Sequence, residues 1–411
     1  MTNNDLPRVL VATTFAYPHT GGASTHIDTL IDQLRKHDRD AGVVDGRRTI
    51  ASRWRRAWTF AGVGLRRDAY HVRMTHRLLD CFTHELHKSL AADASINLIH
   101  AHDHRACLAA RRAAEACRDR DGRVVRIVQT VHGPWLYEVQ QHDHAREGGA
   151  MAACIRSAEA ASFSAADAII AVDSGQRDIA LEFGAEPSKL HVIYNAVRLD
   201  ELDRLAKHHS ELRPEQPYFV VPRRLVPKTG VGVAIEALAQ IPDARRPLLL
   251  IAGQGPLRAE LESLIDARHV RPWVRLLGPV PRDKLIPLMK VSAGVIVPSV
   301  PAAGVVEATS LAAIEAMALG VPIIASAIGG LAEIIEDGRT GLLAPPGDPK
   351  ALAAALMRAM QPETAAALRD AARAVVEQRL SSEPWFASVA VVYRSAMRVA
   401  HNSGPRLESS P

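Results

Sequence analysis

Short apolar runs alternate with longer amphipathic stretches along most of this chain, the pattern of strands buried on both faces and separated by covering helices. Arg8 to Phe15 reads as a strand, and the loop Ala16 to Ala23, containing Gly21-Gly22, leads into a helix from about Ser24 to Lys36. The alternation continues with a strand at Ile96 to His100, a helix from about Arg105, a strand at Arg123 to Val131, a long helix over Ala150 to Ala165 and a strand at Ala168 to Val172. A polar, proline-containing segment from Asp200 to Pro217 then reads as a linker. Beyond it the pattern restarts, with strands expected at Tyr218–Val221, Pro247–Ala252, Val274–Leu277, Gly294–Val297 and Pro322–Ser326. Helices are expected over Gly230–Gln240, Leu257–Ala267, Glu307–Leu319, Pro349–Met360, Pro362–Gln378 and Pro384–Val399. The fold class is therefore expected to be α/β, with two doubly wound units.

Length and composition agree with that reading. At 411 residues the chain exceeds the size at which a single core stops growing, roughly 250 to 300 residues. A hydrophobic share of 47% and a charged share of 23% are those of an ordinary soluble globular protein. No apolar stretch approaches the roughly 20 residues needed to span a bilayer, and the start lacks a basic and apolar secretory leader, so a cytoplasmic location is expected. Cys81, Cys107, Cys117 and Cys154 match neither a CxxC pair nor a zinc ribbon, which suits a reduced interior. The run His100-Ala-His102-Asp103-His104 invites a metal reading, but alternate residues on a strand are expected to point to opposite faces and not to converge on one ion without a bend. No metal ligand is assigned there, and a strand end beside a polar cleft is expected instead.

Charge is unevenly spread. Between Asp45 and Arg77 stand nine arginines and two acids, with Trp54, Trp58 and Phe60 interleaved. That composition suits anionic lipid or an acidic acceptor, or else a solvated face with the aromatics turned inward. No nucleic-acid module accompanies it, so nucleic acid is not an expected partner.

Glu307 and Glu315, separated by seven residues, give the sharpest chemical signal. The second interrupts an otherwise apolar helix, and a carboxylate is rarely buried without hydrogen bonds or an opposite charge. Thr309 or Ser310 is placed to cap that helix and Gly320-Val321-Pro322 to end it. A helix N-terminus suits a phosphate, and two glutamates suit sugar hydroxyls. This pair resembles the E-x7-E motif of retaining family 4 glycosyltransferases. The resemblance extends in order through Ala-His-Asp at 101–103, Thr-Val-His-Gly at 130–133, Ala-Asp-Ala-Ile-Ile-Ala-Val at 166–172 and Lys-Leu-His-Val-Ile-Tyr-Asn at 189–195. In the second half it continues through Arg-Leu-Val-Pro at 224–227, Ala-Gly-Gln-Gly-Pro-Leu at 252–257 and the segment 337–349.

The resemblance implies a GT-B fold of two facing Rossmann-like domains with a cleft between them. An acceptor-side domain is expected over residues 1–200, a donor-binding domain over 201–384, a helix crossing back over 385–402 and a disordered tail over 403–411. It also implies roles. Gly21 and Gly22 would let the backbone approach the donor diphosphate, and His132 would meet the transferred sugar. Glu307 would hold sugar hydroxyls and Glu315 ribose hydroxyls, with Thr309 and Ser310 at the helix start on the donor. Arg224 and Lys228 would neutralise the diphosphate, so no metal or other cofactor is expected. Three departures stand out: Lys228-Thr229-Gly230 puts the lysine one position early, so that either Lys228 still reaches the phosphate or Arg223 takes over. Asn195-Ala196 replaces an asparagine-glycine turn, and Thr309-Ser310 replaces Phe-Gly.

The implied reaction moves a hexosyl unit from a nucleotide diphosphate sugar, UDP-linked or GDP-mannose, to a glycan, lipid-linked or small-molecule acceptor. For the arginine-rich stretch Arg47–Arg77 the implied partner is an anionic membrane surface on the cytoplasmic side. The rival readings are a nucleotide-sugar epimerase or nicotinamide enzyme, disfavoured by the lack of G-x-G-x-x-G, and a non-catalytic carbohydrate-binding subunit.

Overall fold

A computed structural model describes residues 6–18, 21–47, 67–133, 135–136, 149–302 and 306–398. Two parallel six-stranded sheets organise them. The first contains β1 (Arg8–Thr13), β2 (Asp40–Asp45), β3 (Ile96–Ala101), β4 (Arg126–Val131), β5 (Ala168–Ala171) and β6 (Leu190–Val192), in the order β2-β1-β3-β4-β5-β6. The second contains β7 (Tyr218–Val221), β8 (Leu248–Ala252), β9 (Val274–Gly278), β10 (Gly294–Val297), β11 (Ile323–Ser326) and β12 (Leu342–Ala344), in the order β12-β11-β10-β7-β8-β9. The central strands are buried along nearly all of their length, which is why most of them appear in the sequence as apolar runs.

Around the first sheet lie α1 (Gly22–Lys36), α2 (Arg67–Ala92), α3 (His104–Asp121), α4 (Ala150–Ala165) and α5 (Ser174–Glu182). The segment read as a linker begins with α6 (Leu199–Leu205), whose Leu202 and Leu205 pack into the core of the second sheet. That sheet is covered by α7 (Val231–Ala239), α8 (Arg258–Ala267), α9 (Arg282–Lys290), α10 (Leu311–Ala318), α11 (Gly329–Ile334), α12 (Pro349–Ala359) and α13 (Pro362–Val375). A π-helical turn, Val376–Leu380, follows, and the Val197 N–H donates to the Leu380 carbonyl. The chain then runs into α14 (Ser382–Arg398).

Helix α14 completes the first sheet rather than the second. Trp385, Phe386, Val389 and Tyr393 are buried against Ile27 and Leu30 of α1 and against Val128 and Ile170 of β4 and β5. The opposite face of the same sheet is closed by α2, α3 and α4. Without α14, the apolar face beside α1 would lie open to water. Most of the arginine-rich stretch, residues 48–66 with Trp54, Trp58 and Phe60, lies outside the described residues, as does the tail at 403–411.

Truncating Trp385→Ala in α14 is expected to destabilise the protein by about 3–5 kcal/mol, the usual cost of emptying a large buried aromatic site. Val391→Ala on the exposed face of the same helix should stay within about 0.5 kcal/mol of wild type. Urea denaturation of the two variants checks this, and equal midpoints would contradict the packing.

Candidate functional site

Open parallel sheets bind ligands at the carboxyl ends of their strands, where the strand order reverses. In the first sheet that point lies between β1 and β3, and in the second between β7 and β10. After β3, Asp103 accepts from the Thr14 N–H at 2.6 Å, the Thr14 hydroxyl at 2.9 Å and the Thr13 hydroxyl at 3.2 Å, and it caps α3 by accepting from the Ala106 N–H at 2.9 Å. One carboxylate thus ties the two loops at the first switch point together. The loop after β1 ends at Gly21, the N-cap residue of α1, which makes no side-chain cap.

At the second switch point, Arg223 after β7 turns inward. Its guanidinium donates to Glu307 Oε2 at 2.6 Å, to Ser310 Oγ at 3.1 Å and to Ser299 Oγ at 3.3 Å. Ser299 also donates to Glu307, at 3.3 Å. This loop is held close by glycine: a Cβ on Gly253 would lie 1.9 Å from the Arg223 carbonyl oxygen. Gly230, at φ +62°, likewise leaves no room, since a Cβ would meet the Pro298 carbonyl oxygen at 1.8 Å. Arg224 is exposed on the same loop, and Lys228, half-buried, sits on the turn Pro227–Thr229 that leads to Gly230. The inward arginine is therefore Arg223, one position before the expected one.

Ser310 is the N-cap residue of α10, but its hydroxyl makes no capping bond and is taken by Arg223. Glu315 falls on the second turn, as its spacing predicts, and is buried. Its partner is Arg282, at the start of α9, which also approaches Glu201 at 3.8 Å. The buried carboxylate that needed an opposite charge has one. The two uncapped helix starts lie close together, because a Cβ on Gly22 would lie 3.6 Å from Leu311 Cδ1.

Thr309 is placed differently from the expectation of a donor contact. It is buried, and its hydroxyl donates to the Val172 carbonyl at 2.5 Å, joining the end of β5 to the start of α10. Beside it, Asn195 Nδ2 donates to the Thr309 carbonyl at 2.9 Å, and Asn195 Oδ1 accepts from His26 Nδ1 at 2.8 Å. The altered asparagine-glycine position is thus a buried bridge between the two halves.

His132 lies after β4, half-buried, with Nε2 3.1 Å from His102 Nδ1. Contrary to the expectation for the histidine run, His100 and His102 share one face of β3 and its extension. They are two residues apart, so the pleat returns them to the same side, and their rings stack with centroids 4.5 Å apart. His26 from α1 packs edge-on against both His102 and His132, at 5.4 and 4.7 Å. His100 is closed off by bonds of 2.7 Å to the Tyr393 hydroxyl and to Thr130 Oγ1. Burial pulls His26 down to about 4 and His100 down to about 3, and holds His102 and His132 well below the ordinary histidine range. The four rings are neutral at pH 7.

A second polar seam lies at Asp173, which caps α5 through Oδ1 to Gln176 N at 2.7 Å, while Oδ2 is buried without a hydrogen-bond partner. Glu333 on α11 reaches across to accept from Ser174 N at 3.2 Å and Ser174 Oγ at 3.1 Å. Burial, with the Glu333 and Glu307 carboxylates nearby, pushes Asp173 up to about 6. His26, Asp173, Arg223, Arg282 and Glu333 were not among the residues first assigned to the site. Only Arg223 had a sequence signal, as the cation adjoining the displaced lysine.

Residues 20–201 match the family model for Glycosyltransferase Family 4, and residues 203–375 match that for Glycosyl transferases group 1. The D-inositol 3-phosphate glycosyltransferase of Jonesia denitrificans is 32% identical over 240 residues, 54% of this chain and 55% of that protein. The 2-deoxystreptamine glucosyltransferase of Streptomyces kanamyceticus is 28% identical over 232 residues, 54% of this chain and 56% of that protein. The chain spans about half the length of these relatives in each match. In fold it is similar to Anabaena HepE, solved in complex with UDP-glucose, at a TM-score of 0.65 and 18% identity over 94% of this chain and 99% of that one. It is also similar to sucrose-phosphate synthase from Thermosynechococcus elongatus, at a TM-score of 0.71 and 20% identity over 95% and 99% of the two chains. These structural likenesses establish the two-domain GT-B fold. No helix among the described residues is long and apolar enough to cross a membrane.

Asp173 gives a pH prediction whose sign follows from its raised value. The folded state holds this proton more tightly than the unfolded state, so its stabilising contribution is present below about pH 4 and is lost as pH rises through about 6. Asp173→Asn keeps a good N-cap and removes that loss, so the variant should exceed wild type by about 2 kcal/mol at pH 7.5 and match it near pH 4. Urea denaturation at the two pH values reads the difference. A variant less stable than wild type at pH 7.5 would show that the charged carboxylate is stabilised instead.

Proposed function

The chain belongs to glycosyltransferase family 4, and from that premise we propose that it moves a hexosyl unit from a nucleotide diphosphate sugar to an acceptor, with retention at the anomeric carbon. The observation that carries the reading is the pair of uncapped helix starts, at Gly22 and Leu311, brought close together, with the inward Arg223 bonded to Ser310 at the second of them. Helix ends without a side-chain cap, with their aligned peptide dipoles, suit a diphosphate, and Gly21-Gly22 lets it approach the backbone. A UDP-linked sugar is favoured, in keeping with the UDP-glucose complex of the HepE fold relative.

In this reading Arg223 holds Glu307 in position, and Glu307 accepts hydroxyls of the donor sugar. Arg224 and Lys228, presented by the same loop, stabilise the charge that develops on the leaving diphosphate. His132, neutral and half-exposed, donates or accepts a hydrogen bond at the transferred sugar. Glu315 shares its carboxylate between Arg282 and the ribose. Ser310, its hydroxyl occupied by Arg223, contributes the start of α10, and Thr309 contributes by fixing that start against Val172. Side-chain cations and helix ends take the role that a metal plays in other transferases, so transfer is metal-independent. The acceptor is a glycan, a lipid-linked glycan or a small molecule. The arginine-rich stretch Arg47–Arg77 would bring a lipid-linked acceptor to the cleft at an anionic membrane surface.

Glu307→Gln should lower transfer from the donor found in a nucleotide-sugar panel by at least about 10²-fold, the scale of losing one transition-state stabiliser. The amide still hydrogen-bonds Arg223, so the thermal midpoint should change little. Turnover within a few-fold of wild type would overturn the assignment. Transfer should also persist in excess EDTA, and a loss restored by Mg²⁺ or Mn²⁺ would show that the reaction needs a metal.

A further inference from the structure

Three imidazoles from three backbone segments meet at the carboxyl ends of β3 and β4: His26 from α1, His102 from the end of β3 and His132 after β4. One ring nitrogen from each lies within 4.8 Å of the other two. A tetrahedral ion bonded to imidazole at about 2.0–2.1 Å separates its nitrogens by about 3.4 Å, so the widest pair needs to close by about 1.4 Å at most. His102 Nδ1 and His132 Nε2, 3.1 Å apart, already stand near the spacing of two neighbours around a tetrahedral ion. The His26 ring stands at 71° and 88° to the other two, which brings a third nitrogen in from a separate direction.

The surroundings have the form of a metal ligand shell. An amide oxygen only accepts, so the His26 Nδ1–H donates to Asn195 Oδ1, and neutral His26 presents a bare lone pair at Nε2. That nitrogen is buried with no hydrogen-bond partner. Ligating histidines are commonly oriented in this way, by a carbonyl on the far ring nitrogen. Burial keeps all three rings unprotonated, as ligation requires. His100, with both nitrogens engaged, stays outside the set.

We propose that His26, His102 and His132 bind one divalent transition-metal ion of the zinc class. Imidazole donors without a carboxylate suit Zn²⁺, Co²⁺, Ni²⁺ or Cu²⁺, and not Mg²⁺, Ca²⁺ or Mn²⁺. Half-exposed His132 gives the ion access from the cleft and leaves its remaining coordination position facing the cleft. The site goes beyond metal-independent transfer. Where it touches the transferase reading, the consequence is inhibition: an ion on His132 withdraws that ring from the sugar.

The test is a Co²⁺ titration of the EDTA-treated, dialysed full chain. The expected result is one Co²⁺ per chain with the visible absorption of a tetrahedral site, bleached by one equivalent of Zn²⁺. His26→Gln, His102→Gln and His132→Gln should each weaken Co²⁺ binding at least about tenfold, with circular dichroism reporting the fold. His132 is half-exposed, so its variant keeps the comparison available if the buried ones fail to fold. Wild type giving no stoichiometric tetrahedral band would overturn the proposal, as would bands of unchanged strength in every folded variant. Transfer measured with and without one equivalent of Zn²⁺ separates the two readings. Tetrahedral binding with undiminished turnover upholds the metal site and counts against His132 in transfer.

Discussion

The geometry of the cleft depends on one buried amide. Asn195 takes the His26 N–H with its oxygen and gives its own N–H to the Thr309 carbonyl, so it joins α1 of the first domain to the segment that starts α10 of the second. Both partners are buried, and a buried donor or acceptor left unpaired costs about 1–3 kcal/mol. The bridge therefore has few alternatives. Thr309 adds a second tie through its hydroxyl to Val172, one residue before Asp173, and Glu333 a third through Ser174. Because Ser310 and Glu307 flank Thr309, these ties also set where the Arg223 network stands relative to the histidines.

Charge is divided across this seam. On the first-domain side the polar floor is made of histidines that burial keeps neutral, so it offers hydrogen bonds and lone pairs without a net field. On the second-domain side Arg223, Arg224 and Lys228 all issue from one loop after β7, and two of the acids nearby, Glu307 and Glu315, are paired with arginines. The cationic side chains thus stand on the second domain and the neutral rings on the first.

The doubly wound architecture was legible because its central strands are buried on both faces and so appear as apolar runs. The missed strands, β2, β6 and β12, are all edges. β2 and β6 are partly exposed along their length and β12 is only three residues long, so none yields a continuous hydrophobic signal. Helix α9 was obscured by Pro287 inside it. At the site, the spacing of Glu307 and Glu315 and the place of His132 could be read from the chain. The partners Arg282, His26 and Glu333 could not, because they come from distant segments with no local motif to mark them. The histidine run failed for a different reason: residues two apart on a strand share a face, and their third and fourth companions, His26 and His132, arrive from α1 and β4.

The displaced lysine shows how a motif departure is absorbed. The loop from β7 to α7 is pinned by backbone at both ends, with Gly253 against the Arg223 carbonyl and Gly230 against the Pro298 carbonyl. Between them the turn Pro227–Thr229 is a 3₁₀ turn, in which moving a side chain by one position swings its direction by about 120°. A lysine one place early is therefore not the same cation slightly shifted; it points elsewhere. The backbone at the two pinned ends leaves little slack to restore the expected direction. Arg223, on the same loop, turns inward instead, and its three bonds to Glu307, Ser310 and Ser299 tie the loop to the segment that starts α10.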